Sequence, residues 1–315
     1  MLTYLCPNAK KASGGVKVIY RHVSLINDMQ IPGVRAQIFH PKDVDFRCEV
    51  PFTNLNFKKN FIFNKKHEVF VIHEMWAARE AKIARAKGIR YIIQVQGGYD
   101  VFRKADVDSV YTAYQHAELI TCVSDDIYAC LVFLFPEFEQ KIYRLHLSVE
   151  DDLFKPATHK ENLITYMPRK LEKHSTLVLN YIARKLPSTW KIVPIENMSQ
   201  EAVAETLSKS KIFLSFSELE GLGLPPIEAA LAGNIVIGYT GQAGKEYWLE
   251  EQFHEVNCGD IRKFSEVILD KITKIDDGNF NFNKIKENIT ILQNKYSPIK
   301  ELAGLRGLVD QLIKV

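Results

Sequence analysis

The chain has 315 residues, of which 46% are apolar and 25% charged, and its 41 basic and 38 acidic residues leave a net charge of +3. These proportions are typical of an ordinary globular protein and exclude a collagen-like, disordered or membrane-spanning chain. So weak a positive charge does not favour duplex nucleic acid as the main partner. At about 150 residues per domain, the length predicts two domains.

Cysteine usage and the N-terminus indicate a cytoplasmic protein. The five cysteines are odd in number, and neither a C-x-x-C motif nor zinc-ligand spacing to histidine occurs, so no disulfide framework or structural zinc is expected. The segment Met1–Pro7 lacks the basic and apolar regions of a signal peptide. The strongest apolar run, Ile127–Phe135, is far shorter than the roughly 20 residues that cross a bilayer.

Short β-branched and aromatic runs alternate with longer helical patterns along the first half of the chain. The predicted strands are Leu2–Leu5, Arg35–His40, Val69–His73, Tyr91–Gln96 and Leu119–Val123. The predicted helices are Val16–Asp28, Met75–Lys87, Val107–His116 and Asp125–Leu134, the last with Ser124 as its N-cap.

The same alternation restarts in the second half. Its predicted strands are Leu163–Met167, Lys191–Ile195, Ile212–Phe216, Ile235–Gly238 and His254–Val256. Its predicted helices are Leu171–Ala183, Gln200–Ser208, Pro226–Ala232, Ile261–Ile275 and, after Tyr296-Ser-Pro298, the tail 298–315. A boundary is predicted near Ser148–Pro156, where a charged triplet (Glu150, Asp151, Asp152) precedes a proline.

Alternating strands and helices predict βαβ units, and therefore parallel sheets that helices cover on both faces. We expect an α/β fold with two Rossmann-like, doubly wound domains, residues 1–149 and 150–297, facing a cleft. Ligands bind such sheets at the carboxyl ends of their strands.

Residues 212–248 contain the most informative pattern. A buried strand is followed by Glu220, a Gly221-Leu-Gly223 turn, Pro225-Pro226 and then Glu228, which the pattern places in the first turn of a short helix ending at Gly233. Two carboxylates there can accept hydrogen bonds from vicinal hydroxyls, and free N–H groups at a helix start suit a diphosphate. The alternative is an ordinary βα loop with glycines for turn geometry and glutamates for capping.

The stretch from Glu220 to Gly233 resembles the E-x7-E signature of GT-B-fold glycosyltransferases, especially glycosyltransferase family 4. The resemblance implies that Glu220 contacts the donor sugar and Glu228 the nucleotide ribose. It also implies that the loop Gly221, Leu222, Gly223 and Leu224, with the turn at Gly241 and Gly244, lies near the diphosphate or sugar. Residues 1–149 would then bind the acceptor and 150–297 the donor, with helix 298–315 packing back on the first domain.

The family also places an arginine and a lysine after the first strand of its donor domain. Arg169 matches the arginine, and either Lys170 or Lys173 takes the place of the lysine. Such cations stabilise the charge that develops on a departing nucleoside diphosphate. A solvated surface charge is the alternative for each of the three.

Candidate residues of the first half follow its predicted strands. The loop with Gly14 and Gly15 resembles the family's glycine-rich loop, although a plain helix entry fits it as well. His73 is a candidate for a polar contact to a sugar, or for a proton acceptor, against the alternative of a merely hydrogen-bonded histidine. Gln96 and Gly97 are expected on the acceptor side.

Two basic regions, Phe57–Lys66 and the helix face of Arg79 to Arg90, favour either a solvated surface or a peripheral contact with anionic lipid at the inner face of the membrane. No metal is expected, because Asp43-Val-Asp45 and Asp106-Val-Asp108 do not end clear apolar strands.

The sequence therefore predicts hexosyl transfer from a nucleoside diphosphate sugar to a hydroxyl of a saccharide or lipid-linked acceptor. The resemblance implies retention of configuration and no cofactor, and bacterial surface polysaccharide synthesis is the setting it brings by analogy. A non-catalytic sugar-nucleotide binding protein and an epimerase of the same fold remain alternatives.

Overall fold

The chain folds into two compact units. The computed structural model describes residues 1–9, 13–43, 45–48, 50–150 and 152–313. Unit 1 comprises Met1–Leu147 with Ile299–Val315, and unit 2 comprises Ser148–Pro298. Asp151 of the predicted boundary triplet and the last two positions of the predicted helix 298–315 lie outside the described residues.

Unit 1 is built on a parallel sheet of seven described strands in the order β3-β2-β1-β4-β5-β6-β7. They are β1 (Leu2–Leu5), β2 (Ala36–Phe39), β3 (Phe57–Lys58), β4 (Val69–His73), β5 (Arg90–Val95), β6 (Ile120–Cys122) and β7 (Ile142–Arg144). Strand β1 pairs with β2 on one side and β4 on the other. The sequence predicted five of these strands and missed β3 and β7, which have two and three residues and too little periodicity to detect.

Helices cover this sheet. They are α1 (Gly14–Asp28), α2 (Ala77–Lys87), α3 (Val107–Gln115) and α4 (Asp125–Leu134). Short 3-10 helices cover Glu74–Trp76, Gly98–Asp100 and Pro136–Lys141. The Ser124 hydroxyl accepts a hydrogen bond from the Ile127 amide, which confirms it as the N-cap of α4.

Unit 2 contains a second parallel sheet, with described strands in the order β12-β11-β10-β8-β9. They are β8 (Leu163–Tyr166), β9 (Lys191–Pro194), β10 (Ile212–Glu220), β11 (Ile235–Gln242) and β12 (Phe253–Glu255). The helices are α5 (Glu172–Ile182), α6 (Gln200–Lys209), α7 (Leu224–Leu231), α8 (Ile261–Asp276) and α9 (Phe282–Lys295), with a 3-10 helix at Ala243–Tyr247. The sequence reading missed α9.

The last helix, α10 (Pro298–Ile313), belongs mainly to unit 1. Leu305, Leu308 and Val309 are buried in the same core cluster as β1 and α1. Glu301 is fully buried, and its carboxylate accepts a hydrogen bond from Arg21 Nε over 2.8 Å, with His22 Nε2 at 3.4 Å. An apolar face and a buried ion pair therefore hold α10 on unit 1.

Candidate functional site

The candidate donor site lies at the topological switch point of the unit 2 sheet. Strand β8 has β9 on one side and β10 on the other, so the connections that follow β8 and β9 lead to opposite sides of it. In open parallel sheets ligands bind outside the carboxyl ends of the two strands at such a point. Here those ends lead into the segments around Lys170 and Glu220.

A small pocket opens between these two segments. Its lining includes Met167, Lys170, Ser217, Glu220 and Pro226. Lys170 Nζ donates a hydrogen bond to Glu220 Oε1, and their side chains are 31% and 18% exposed. An ammonium group and a carboxylate thus stand together at a partly open surface, where the first can bind an anion and the second can accept hydrogen bonds from hydroxyls.

The position of Glu220 differs from the sequence prediction. We expected it in a loop after a strand ending at Phe216, but it is the last residue of β10. The pairing of β10 with β11 continues because the register shifts between Ser217 and Glu220, which brings Glu220 opposite Gln242. The one extra residue on β10 allows the strand to continue past Phe216 as far as Glu220, whose side chain then lines the pocket.

Gly241 makes room for the Glu220 side chain. It was expected in a turn, but the extended pairing places it within β11, where its φ is +63°. A Cβ atom added there would lie 2.8 Å from Cγ of Glu220 and 2.9 Å from Cβ of Ser217. Both the backbone angle and the contact therefore require glycine.

Helix α7 begins two residues earlier than predicted, at Leu224, because Gly223 turns the chain with a φ of +78°. The hydroxyl of the buried Tyr247 donates a hydrogen bond to the Gly223 carbonyl over 2.8 Å and fixes this turn. Burial raises the pKa of Tyr247 well above its usual value, so the hydroxyl stays protonated as a donor. No pattern in the sequence indicates this role of Tyr247.

The two prolines change what the start of α7 can bind. Its second and third residues, Pro225 and Pro226, have no amide N–H. Leu224 is therefore the one residue among the first three that offers a donor to an anion. The sequence led us to expect several free amides at this helix start. With one such donor, binding of a diphosphate depends more on side-chain cations.

Glu228 is the fifth residue of α7, so the prediction that it lies in the first turn is wrong. The prediction took Pro226 as the start of the helix. Side chains on a helix point back toward its N-terminus, which directs the partly buried Glu228 toward the turn at Leu224. Its contact with a ribose stays a prediction.

The three candidate cations occupy different positions. Arg169 and Lys173 are exposed, Lys173 as the second residue of α5, and within the described part of the chain Arg169 has no ion pair. Only Lys170 of these three has an ion pair with Glu220 among the described contacts.

The remaining donor-side candidates are backbone or core positions. Leu222 is 4% exposed, so its side chain packs in the interior. Gly221 is partly buried between β10 and α7. Gly244 lies in the 3-10 helix Ala243–Tyr247 rather than in a simple turn, and an added Cβ would be 3.2 Å from the Tyr247 hydroxyl.

The candidates in unit 1 also gather at a switch point, here between β1 and β4. Gly14 and Gly15 open α1, two residues before the position predicted for its start, and His73 is the last residue of β4. Ala12, at the start of the glycine-rich loop, lies outside the described residues.

Two of the unit 1 candidates, Gln96 and Gly15, are hydrogen-bonded, and His73 lies beside them. Gln96 Nε2 donates a hydrogen bond to the Gly15 carbonyl over 3.3 Å. A Cβ atom added to Gly15 would lie 3.0 Å from Gln96 Oε1 and 3.8 Å from His73 Nε2. Around Gly14, by contrast, an added Cβ would meet no described atom within 4 Å.

Glu74 is a functional candidate to which the sequence alone points only weakly. Its carboxylate is buried, accepts a hydrogen bond from the backbone amide of Gln96 over 3.1 Å and lies 2.9 Å from His73 Nδ1. Its Oε1 would be 3.4 Å from a Cβ atom added to Gly97. The sequence signal was only its position directly after His73.

The described residues contain no cluster of three or more histidines, cysteines, aspartates and glutamates able to hold a metal ion. Asp106 accepts a hydrogen bond from the Ser109 amide as the N-cap of α3, and the Asp43 carboxylate accepts one from the Asp45 amide. Val44 lies outside the described residues. Over the same described ranges, none of the helices is long and apolar enough to span a membrane.

The chain resembles proteins of known structure over its whole length. Sucrose-phosphate synthase from Thermosynechococcus elongatus aligns over 99% of both chains with a TM-score of 0.69 and 12% identity. HepE from Anabaena, in complex with UDP and glucose, aligns over 100% of this chain and 99% of its own, with a TM-score of 0.70 and 11% identity. The chain has the GT-B fold. The prediction of two parallel-sheet α/β domains is thereby confirmed.

In sequence, the resemblance is partial. An alpha-1,6-glucosyltransferase from Actinobacillus pleuropneumoniae is 26% identical over 152 residues, which cover 46% of this chain and 46% of that protein. The match thus spans less than half the length of this curated relative. No protein-family model matches the chain.

Proposed function

We propose that the chain is a glycosyltransferase that moves a hexosyl group from a nucleoside diphosphate sugar to a hydroxyl of a saccharide or lipid-linked acceptor, with retention of configuration. The observation that carries the proposal is the ion pair of Lys170 and Glu220 beside a pocket at the switch point of the unit 2 sheet. It combines a partner for an anionic diphosphate with a partner for sugar hydroxyls.

In this proposal the diphosphate, the sugar and the ribose of the donor each contact a chemically suitable group of the protein. Lys170, with the exposed Arg169, stabilises the negative charge that grows on the departing diphosphate. Glu220 accepts hydrogen bonds from hydroxyls of the sugar, and Glu228 binds the ribose. The Leu224 amide adds one donor at the start of α7. Because protein cations meet the diphosphate, the proposal needs neither a metal nor a cofactor.

The comparisons support the choice of donor. HepE was solved with UDP and glucose, and the Actinobacillus relative is named a glucosyltransferase. We therefore take UDP-hexoses as the first donors to test. His73, Gln96 and the Gly15 backbone are assigned to the acceptor or to hydroxyls of the transferred sugar.

The setting proposed is bacterial surface polysaccharide synthesis at the cytoplasmic face of the membrane. A shallow groove of unit 1 supports a peripheral lipid contact, since it combines Phe61, Ile62 and Phe63 with Lys65 and Lys87. Ile62 is 71% exposed. Apolar groups ringed by lysines suit anionic lipid headgroups, and flotation with anionic against neutral vesicles tests the contact.

A two-step experiment tests the transfer. Thermal-shift measurements against a panel of sugar nucleotides should show stabilisation by the donor, because a ligand that binds only the folded state raises the melting temperature. Release of the nucleoside diphosphate should then depend on an added acceptor. Donor binding without release would instead identify a binding protein, and conversion of the donor without acceptor an epimerase.

A further inference from the structure

The inference concerns the buried neighbour of His73. The Glu74 side chain is 2% exposed and that of His73 13%, and Glu74 Oε2 lies 2.9 Å from His73 Nδ1. The backbone amide of Gln96 donates a hydrogen bond to the same carboxylate oxygen over 3.1 Å. His73 ends β4 and Gln96 follows the neighbouring strand β5, so the carboxylate joins two of the acceptor-side candidates.

The environment of the carboxylate determines where the imidazole proton resides. A buried carboxylate needs hydrogen-bond donors, because an unpaired buried charge is costly. A carboxylate oxygen and a bare ring nitrogen both accept, so their close approach requires a proton between them. The 2.9 Å contact therefore favours a proton on Nδ1 of His73.

One contact acts in the opposite direction. The Met75 amide donates a hydrogen bond to the same Nδ1 over 3.4 Å, so that His73 caps the 3-10 helix Glu74–Trp76, and this bond needs Nδ1 without a proton. The contact with Glu74 is an ion-pair distance rather than an aligned hydrogen bond, but the carboxylate is closer and charged, and a proton on Nδ1 removes the repulsion between its oxygen and the ring lone pair. The Glu74 contact should therefore determine the tautomer.

The other ring nitrogen is then free to accept. His73 Nε2 faces Gly15, where an added Cβ atom would lie 3.8 Å away. Gly15 places no side chain in front of Nε2, and the His73 side chain keeps 13% of its surface exposed, through which a hydroxyl can approach the ring. A neutral imidazole with its proton on Nδ1 presents a lone pair there.

We propose that Glu74 is a positioning residue that holds His73 with its proton on Nδ1, so that Nε2 accepts a hydrogen bond from a hydroxyl of the bound saccharide. The proposal deepens the proposed function and rests on it for the identity of the ligand. No bond to Glu74 forms or breaks, and the carboxylate acts entirely through the imidazole.

Glu74→Gln tests the proposal, because it keeps the size of the side chain but removes the negative charge that favours a proton on His73 Nδ1, and its amide group can present either an oxygen or an N–H to the ring. NMR of the histidine ring nitrogens reports the tautomer, and His73→Asn identifies the signals of His73. The wild-type protein should show a proton on Nδ1 of His73, and Glu74→Gln should shift the ring toward the other tautomer. With a UDP-hexose donor, kcat should fall about tenfold while the donor KM stays within about twofold. Glu74→Asp, which retains the charge, should restore part of both signals.

The matched control is Glu80→Gln. Glu80 is also a buried carboxylate, on the adjacent helix α2, but it pairs with Arg79 rather than with a histidine. The Glu80→Gln variant should have the same His73 tautomer and the same kcat as the wild-type protein. An Nε2-protonated wild-type His73, or a Glu74→Gln variant that behaves like Glu80→Gln, would overturn the proposal.

Two further outcomes are decided by the same measurements. If Glu74→Gln does not fold, the wild-type tautomer alone decides, since it needs no variant of Glu74. If the wild-type protein transfers no hexose from any sugar nucleotide, the proposed function fails, whereas the tautomer still supports or overturns the role of Glu74.

Discussion

The Lys170 ammonium group and the Glu220 carboxylate form an ion pair across the switch point of the unit 2 sheet. Each side chain neutralises the charge of the other. A bound diphosphate would compete for the lysine, and sugar hydroxyls would compete for the glutamate. The pair is partly exposed, so exchanging its partners requires little desolvation.

Replacing Lys170 by methionine should weaken transfer by roughly 100-fold, because the departing diphosphate loses its nearest positioned cation. The measurement is kcat and KM with a UDP-hexose. Lys173→Met is the matched control, since Lys173 is exposed on α5 and should leave both constants within about twofold. The reverse ranking of the two variants would assign the diphosphate contact to Lys173.

Glu220→Gln and Arg169→Ala should each reduce transfer by about two orders of magnitude or more and leave the melting temperature nearly unchanged. Glutamine keeps the shape of Glu220 but binds hydroxyls and Lys170 less strongly. Glu218→Gln, an exposed position on the same strand, serves as the control. Rates within a few-fold of wild type for both site variants would remove the site assignment.

Gly241→Ala should impair activity by displacing Glu220, whose Cγ lies 2.8 Å from the position of the new Cβ. Gly278→Ala is a fair comparison, because Gly278 has a similar φ of +71° but no described atom within 4 Å of an added Cβ. Both substitutions should cost about 1 kcal/mol of stability through the backbone angle. Only Gly241→Ala should also lower kcat, and equal activity of the two would argue against the proposed role of Glu220.

Glu301→Gln should destabilise unit 1 by about 3 kcal/mol, since it removes the buried negative charge that pairs with Arg21. Denaturant unfolding measures this change. Arg306→Ala disrupts an exposed pair with Asp310 on the same helix and should change stability by less than about 0.5 kcal/mol. A loss no larger for Glu301→Gln than for Arg306→Ala would mean that the ion pair does not hold α10.

Acid should destabilise the chain through His254 of β12. Burial, with Lys271 nearby, lowers the pKa of His254 to about 4, whereas in an unfolded chain it is near 6.5. Between these values the unfolded state binds the extra proton, so stability falls as pH decreases from about 6.5 to 4, by up to about 1.4 kcal/mol per pH unit. His254→Gln should show a shallower decline in denaturation experiments over this range, and an unchanged slope would contradict the assignment.

The sequence predicted the fold class well because period-2 strands and 3.6-period helices alternate regularly. The prediction failed where a few residues decide an element, as in β3 and β7, or where pairing extends a strand, as for Glu220 in β10. Such an extension depends on the register with β11, which no local pattern records.

Part of the candidate site could not be predicted from the sequence. Lys170 and Lys173 have similar local contexts, and only the tertiary contact with Glu220 separates them. Glu74 and Tyr247 make buried contacts with residues that the sequence marks, but apart from the position of Glu74 next to His73 no local pattern identifies either of them.

Helix α10 has a consequence for biosynthesis. Its apolar side chains complete the core around β1 and α1, yet ribosomes must first translate all of unit 2. At typical synthesis rates this interval lasts roughly ten to thirty seconds. During that time the nascent N-terminal half exposes the groove that α10 later fills, which makes it a natural client for chaperones that shield hydrophobic surface.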